Sequence, residues 1–95
     1  VLDLVKIRTE IDKIDQELVQ LLEKRLELVS LVADYKKNNK LDVLDRNREE
    51  VVLEKVASTV KNKKLENAIK LTYQGIMASS RHYQKERLKK RDEHQ

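Results

Sequence analysis

Three cations interrupt apolar helical stripes where hydrocarbon would be expected. Turning about 100° per residue, Arg25 and Lys36 fall near the middle of the arc set by Leu4, Ile7, Ile11, Ile14, Leu18, Leu21, Leu28 and Val32, with Arg8 at its edge. Ser80 and Gln84 form an i,i+4 pair on the face that carries Ile69, Tyr73 and Ile76. A buried guanidinium without a partner costs several kcal/mol. Leu21, Leu22, Leu28 and Val29, three and four residues from Arg25, offer no acid, so its anion must come from another helix or from a ligand. Taken singly, Arg25 also reads as a register-setting polar residue and Lys36 as a snorkelling one. Together, two arginines, a lysine and an uncharged amide around an apolar interior suit a small dicarboxylate. Arginine presents paired donors to a carboxylate, and lysine a mobile point charge.

A second cluster, Asp45, Arg48 and Glu49, stands at the expected start of a helix. Asp45 or Asn47 can cap it, and Glu49 and Glu50 in the first turn complement its dipole. Glu49 is also placed to accept a hydrogen bond from a ligand hydroxyl.

The elements that must carry these residues are helices. The chain has 95 residues, no proline, one glycine and three tyrosines as its only aromatics, with 40% charged and 39% hydrophobic residues. Sheets of this size need turns, and turns draw on glycine and proline, so the fold is all-α with three helices. An a/d seam, alternately three and four residues apart from Leu4 to Val32, predicts a first helix from about Asp3 to about Asn38. At ~1.5 Å per residue it is about 50 Å long. So long a stripe cannot be covered inside a compact monomer this short, and it needs a partner chain. Residues 38–42 read as a linker. Val52, Leu53, Val56, Ala57 and Val60 mark the second helix, and a break falls near Lys61–Lys64. The third helix carries Leu65, Ala68, Ile69, Tyr73, Ile76 and Met77, then runs on through Ser80 and Gln84. Gly75 reads equally as a close-packing position or as a tolerated helix glycine.

Much chemistry is excluded. Without cysteine there are no disulfides, thiolate metal sites or cysteine nucleophiles. His82 and His94 stand too far apart on one helix to share a metal, and one glycine cannot build a phosphate-binding loop. No metal site is expected. His82, two residues from Ser80, points around the helix rather than at the hydroxyl, against a serine nucleophile. No apolar run approaches the roughly 20 residues of a membrane span. No signal peptide is visible, and the opening on Val1 suggests removal of something upstream. From Arg81 onward six basic residues face three acidic ones, most of the net charge of +4. This end reads as a solvated helix terminus rather than a nucleic-acid surface.

In order, Leu4-x-x-Ile7-Arg8-x-x-Ile11-Asp12, Leu21-Leu22-x-x-Arg25, Val32-x-x-x-Lys36, Asp45-x-x-Arg48-Glu49 and Ser80-x-x-x-Gln84 resemble the motifs of the all-helical chorismate mutases. The resemblance runs from about Leu4 to Leu88, giving a mutase domain at 1–88 and a basic tail at 89–95. It implies an intertwined homodimer whose active sites borrow from both chains. It also implies a cofactor-free Claisen rearrangement of chorismate to prephenate in the shikimate pathway, toward phenylalanine and tyrosine. Carried over, Arg8 enters from the partner chain and joins Arg25 on the substrate carboxylates. Lys36 and Gln84 donate to the ether oxygen, Glu49 and the Asp45 backbone amide hold the ring hydroxyl, and Arg48 and Ser80 complete the pocket. A cytoplasmic enzyme with no nucleic-acid or membrane partner is expected. The rival readings are a lyase of the same fold that removes pyruvate from isochorismate, and a non-catalytic helical dimerisation module. Glu49 favours the mutase over the lyase.

Overall fold

The first two helices each begin where a side chain satisfies otherwise free amides. The structure, a computed structural model, describes residues 3–93. Asp3 accepts from the backbone N–H groups of Val5 and Lys6 at 3.0 and 3.3 Å and opens α1, Leu4–Asn38. Asp45, not Asn47, caps α2 (Arg46–Thr59), accepting from the Arg48 amide at 3.0 Å. The break expected near Lys61–Lys64 is a 3-10 turn, Lys63–Leu65, capped by Asn62 and leading directly into α3, Glu66–Glu93.

The end of α1 sets the path of the linker. The Lys40 amide donates to the Lys37 carbonyl at 3.2 Å, and the Leu41 amide to the Lys36 carbonyl at 2.8 Å. This pair of bonds is a Schellman closure, which requires a left-handed residue between its arms. Lys40 fills that position at φ 55°. The turn sends residues 41–45 back along α1, so that the Val43 carbonyl meets the Lys36 ammonium at 2.6 Å.

α3 packs on both α1 and α2. The principal extents are 60 × 28 × 15 Å. A helix with its side chains is about 10–12 Å across, so the 15 Å dimension holds one layer. One layer cannot enclose a core. Among the described residues only Ala33, Met77, Ser80 and Gln84 are buried, two of them polar. The a/d seam of α1 lies open instead: Leu4, Ile7, Ile11, Ile14, Leu18, Leu21, Leu28 and Val32 are all exposed. Among the described residues no helix is long and apolar enough to cross a membrane.

The basic C-terminal stretch differs from the solvated end read from its sequence. Arg87 Nε and Nη2 donate to Asp34 Oδ1 and Oδ2 at 3.2 and 3.1 Å, a two-pronged pair joining α3 to α1. Hydrogen bonding to that carboxylate pushes the Arg87 pKa up. Arg81 is likewise paired, with Glu49 of α2. Lys89 and Lys90 are exposed, and α3 continues as far as Glu93. His94 lies outside the described residues. At Gly75 a Cβ would meet no atom within 4 Å, so packing within the chain does not require glycine there.

Candidate active site

Where α1, α3 and the start of α2 meet, the polar residues of the three stripes converge. A cleft of about 160 Å³ is lined by Arg25 and Lys36 from α1, Asp45, Arg48 and Glu49 from the start of α2, and Ser80, Arg81 and Gln84 from α3. Val29, Val32, Val43, Val52 and Met77 form its apolar wall. Seven of the eight residues singled out in the sequence therefore share one cleft. Arg8 does not: it stands exposed on α1, 17 residues before Arg25, or about 25 Å along the helix axis.

Arg25 Nη1 donates to Ser80 Oγ at 2.6 Å, and Ser80 donates in turn to the Ile76 carbonyl at 2.9 Å. The serine hydroxyl is thus committed on both sides, and His82 is exposed. Neither arrangement activates a nucleophile. The partner of Arg25 is a neutral oxygen. Among the described residues no carboxylate pairs with Arg25, Lys36 or Arg48.

Lys36 Nζ donates to the Val43 carbonyl at 2.6 Å and to Gln84 Oε1 at 3.2 Å. An ammonium has three protons and accepts nothing, so the amide must present its oxygen to Lys36. Gln84 then keeps its Nε2 protons for another acceptor, and Lys36 keeps one N–H.

Glu49 sits in the first turn of α2, its amide donating to the Asp45 carbonyl at 3.0 Å. Its carboxylate oxygens accept from Arg81 Nη1 at 2.5 and 2.6 Å. In the sequence Arg81 reads as part of the basic end of the chain, where nothing announces a partner 32 residues away on another helix. The available signal is its place three residues before Gln84, since i,i+3 residues share a helix face.

Four cations thus line the cleft against the carboxylates of Asp45 and Glu49. The excess is suited to a dianion. Unpaired cations in a partly desolvated site are unfavourable until an anion enters, and planar guanidinium groups match carboxylates.

The sequence profile of the chorismate mutase type II family matches residues 7–85. The chain is 39% identical over 89 residues to the bifunctional chorismate mutase/prephenate dehydratase of Buchnera aphidicola subsp. Schizaphis graminum (strain Sg). The match covers 93% of this chain and 23% of that relative, so the chain spans about a quarter of the relative's length. No solved structure matches the chain significantly.

Proposed function

The chain belongs to the chorismate mutase type II family, and from that premise we propose that its cleft converts chorismate to prephenate, a step toward phenylalanine and tyrosine. The observation that carries this reading is the pairing of Lys36 with Gln84. Once their mutual bond and the Val43 contact are made, each retains a donor, and two donors from facing helices can meet one acceptor.

The reaction is a Claisen rearrangement. The bond from the ring to the ether oxygen breaks while the enolpyruvyl methylene bonds to the ring carbon that carries the carboxylate. No proton need move, so acid–base machinery is not required. What the protein must supply is conformation and charge. Arg25 and the partner's Arg8 grip the carboxylates and hold the side chain folded over the ring, with Arg48 completing the pocket. Lys36 and Gln84 donate to the ether oxygen as negative charge develops there. Glu49 and the backbone amide of Asp45 hold the ring hydroxyl. Ser80 fixes Arg25 through their 2.6 Å bond.

A homodimer supplies what the single chain lacks. The open seam of α1 and the one-layer architecture support it. A second groove runs between α2 and α3, lined by Val52, Val56, Val60, Ile69 and Tyr73 and also by Arg25 and Arg48 of the cleft. The N-terminal half of a partner's α1, laid there, would cover apolar surface on both chains and bring its Arg8 to the carboxylate-binding end. The small cleft volume agrees, since pockets enclosing a drug-sized ligand run to roughly 300–1,000 Å³. Residues 1–88 then form the mutase domain of a cytoplasmic enzyme, supported by the extent of the family match and the biosynthetic name of the relative.

The test is the ultraviolet absorbance of chorismate during incubation with the chain. Absorbance should fall catalytically with the native protein and much more slowly with Lys36→Ala. Equal rates for the two would remove Lys36, and with it the two-donor site.

A further inference from the structure

We propose that Arg81 is a positioning residue for hydroxyl recognition, holding the Glu49 carboxylate in the orientation in which it meets the ligand. The inference rests on the reading of the cleft as a chorismate site. Its basis is a division of labour among the four cations. Arg25, Lys36 and Arg48 form no ion pair with a protein carboxylate among the described residues, whereas Arg81 Nη1 reaches both oxygens of Glu49 at 2.5 and 2.6 Å. The two side chains are only 30% and 25% exposed.

Alone, Glu49 would be a poor choice for this place. A glutamate has three rotatable bonds, and ordering it costs conformational entropy. It would also set an uncompensated negative charge against an entering dianion. Arg81 answers both problems. It projects from α3 between Ser80 and Gln84, both 6% exposed, so its backbone is anchored by buried neighbours. A carboxylate has about four lone-pair sites, so Glu49 can keep the Arg81 contact and still accept from a hydroxyl. Arg81 itself need not touch the ligand.

A double-mutant cycle on steady-state kinetics with chorismate separates the possibilities. Arg81→Leu should lower kcat/KM about tenfold or more, chiefly through KM, because hydroxyl binding acts on ground and transition states alike. Arg81→Lys, which keeps a donor and a charge, should recover most of that loss. In the Glu49→Gln background, Arg81→Leu should cost less than about threefold, the carboxylate it serves being gone. Should Arg81→Leu fail to fold, Arg81→Gln carries the same comparison. Equal losses in both backgrounds would mean that Arg81 grips the ligand itself and would overturn the positioning role. A loss below about twofold in the native background would overturn it as well, with the mutase reading intact. If the native chain forms no prephenate, the mutase reading falls and this inference goes with it.

Discussion

Lys36 Nζ donates to Gln84 Oε1 across 3.2 Å, and this contact decides which end of the amide faces the ammonium. Glutamate at position 84 would place a carboxylate beside the same cation. Ionised, it cannot donate to the ether oxygen and repels the charge that develops there; protonated, it can donate. Gln84→Glu should therefore be active only on the acid side, its rate falling as pH rises through the pKa. At neutral pH the loss should be on the order of 10²-fold or more, as for removal of one oxyanion donor. A pH–rate profile of kcat measures this. A flat profile with near-native activity would deny Gln84 its donor role.

Arg25 and Ser80 give a second prediction, one that separates binding from stability. Ser80 keeps its bond to the Ile76 carbonyl when Arg25 is removed, so Arg25→Leu leaves no orphaned hydroxyl. It also restores an apolar residue to the seam. Stability should be preserved or raised while activity is lost. Arg25→Lys keeps the charge but not the planar fork and should cost about 2–3 kcal/mol of transition-state binding. Denaturation at fixed protein concentration, alongside kcat/KM, tests both. Unfolding of Arg25→Leu would make Arg25 a structural ion-pair partner.

Lys40 is the left-handed residue of the closure that turns the chain back toward Lys36. A side chain there costs about 1–2 kcal/mol relative to an unstrained site. Lys40→Gly should stabilise by less than that, about 0.5–1 kcal/mol, because glycine also loosens the unfolded chain. The thermal midpoint should rise, with activity unchanged. A fall would mean that the lysine side chain makes a contact worth more than the strain.

Arg8 supplies a prediction about assembly. If it serves the partner's cleft, Arg8→Ala and Gln84→Ala chains are each inactive as homodimers. A mixed dimer then has one intact site and one carrying both lesions. Random re-pairing of equal amounts makes about half of the dimers mixed, so roughly a quarter of native activity should return after joint unfolding and refolding. No recovery, with mixed dimers confirmed by mass, would remove the shared site.

The residues of the cleft are legible in the sequence where a local rule is broken. Arg25, Lys36, Ser80 and Gln84 are visible as polar groups inside apolar stripes, and Asp45 as a cap, since period and capping are properties of one helix. The length of the seam exposes the need for cover, because about 50 Å of helix outruns a small domain. Arg81 and Arg87 are not legible. Each looks like one more cation in a basic run, and its meaning lies with a carboxylate on another helix, Glu49 or Asp34, which no periodicity connects to it. The left-handed turn at Lys40 escapes for a related reason: glycine announces such a turn, and lysine does not. Of the two readings that Gly75 allows in the sequence, close packing within the chain is not required.

The identity of the product decides which reaction the cleft carries out. Chorismate and isochorismate should be incubated separately with the native chain and the products identified by mass and nuclear magnetic resonance. A cleft in which Glu49 and the Asp45 amide hold the ring hydroxyl, and Lys36 and Gln84 the ether oxygen, should yield prephenate from chorismate. Release of pyruvate from isochorismate with chorismate left intact, or no turnover of either, would contradict it.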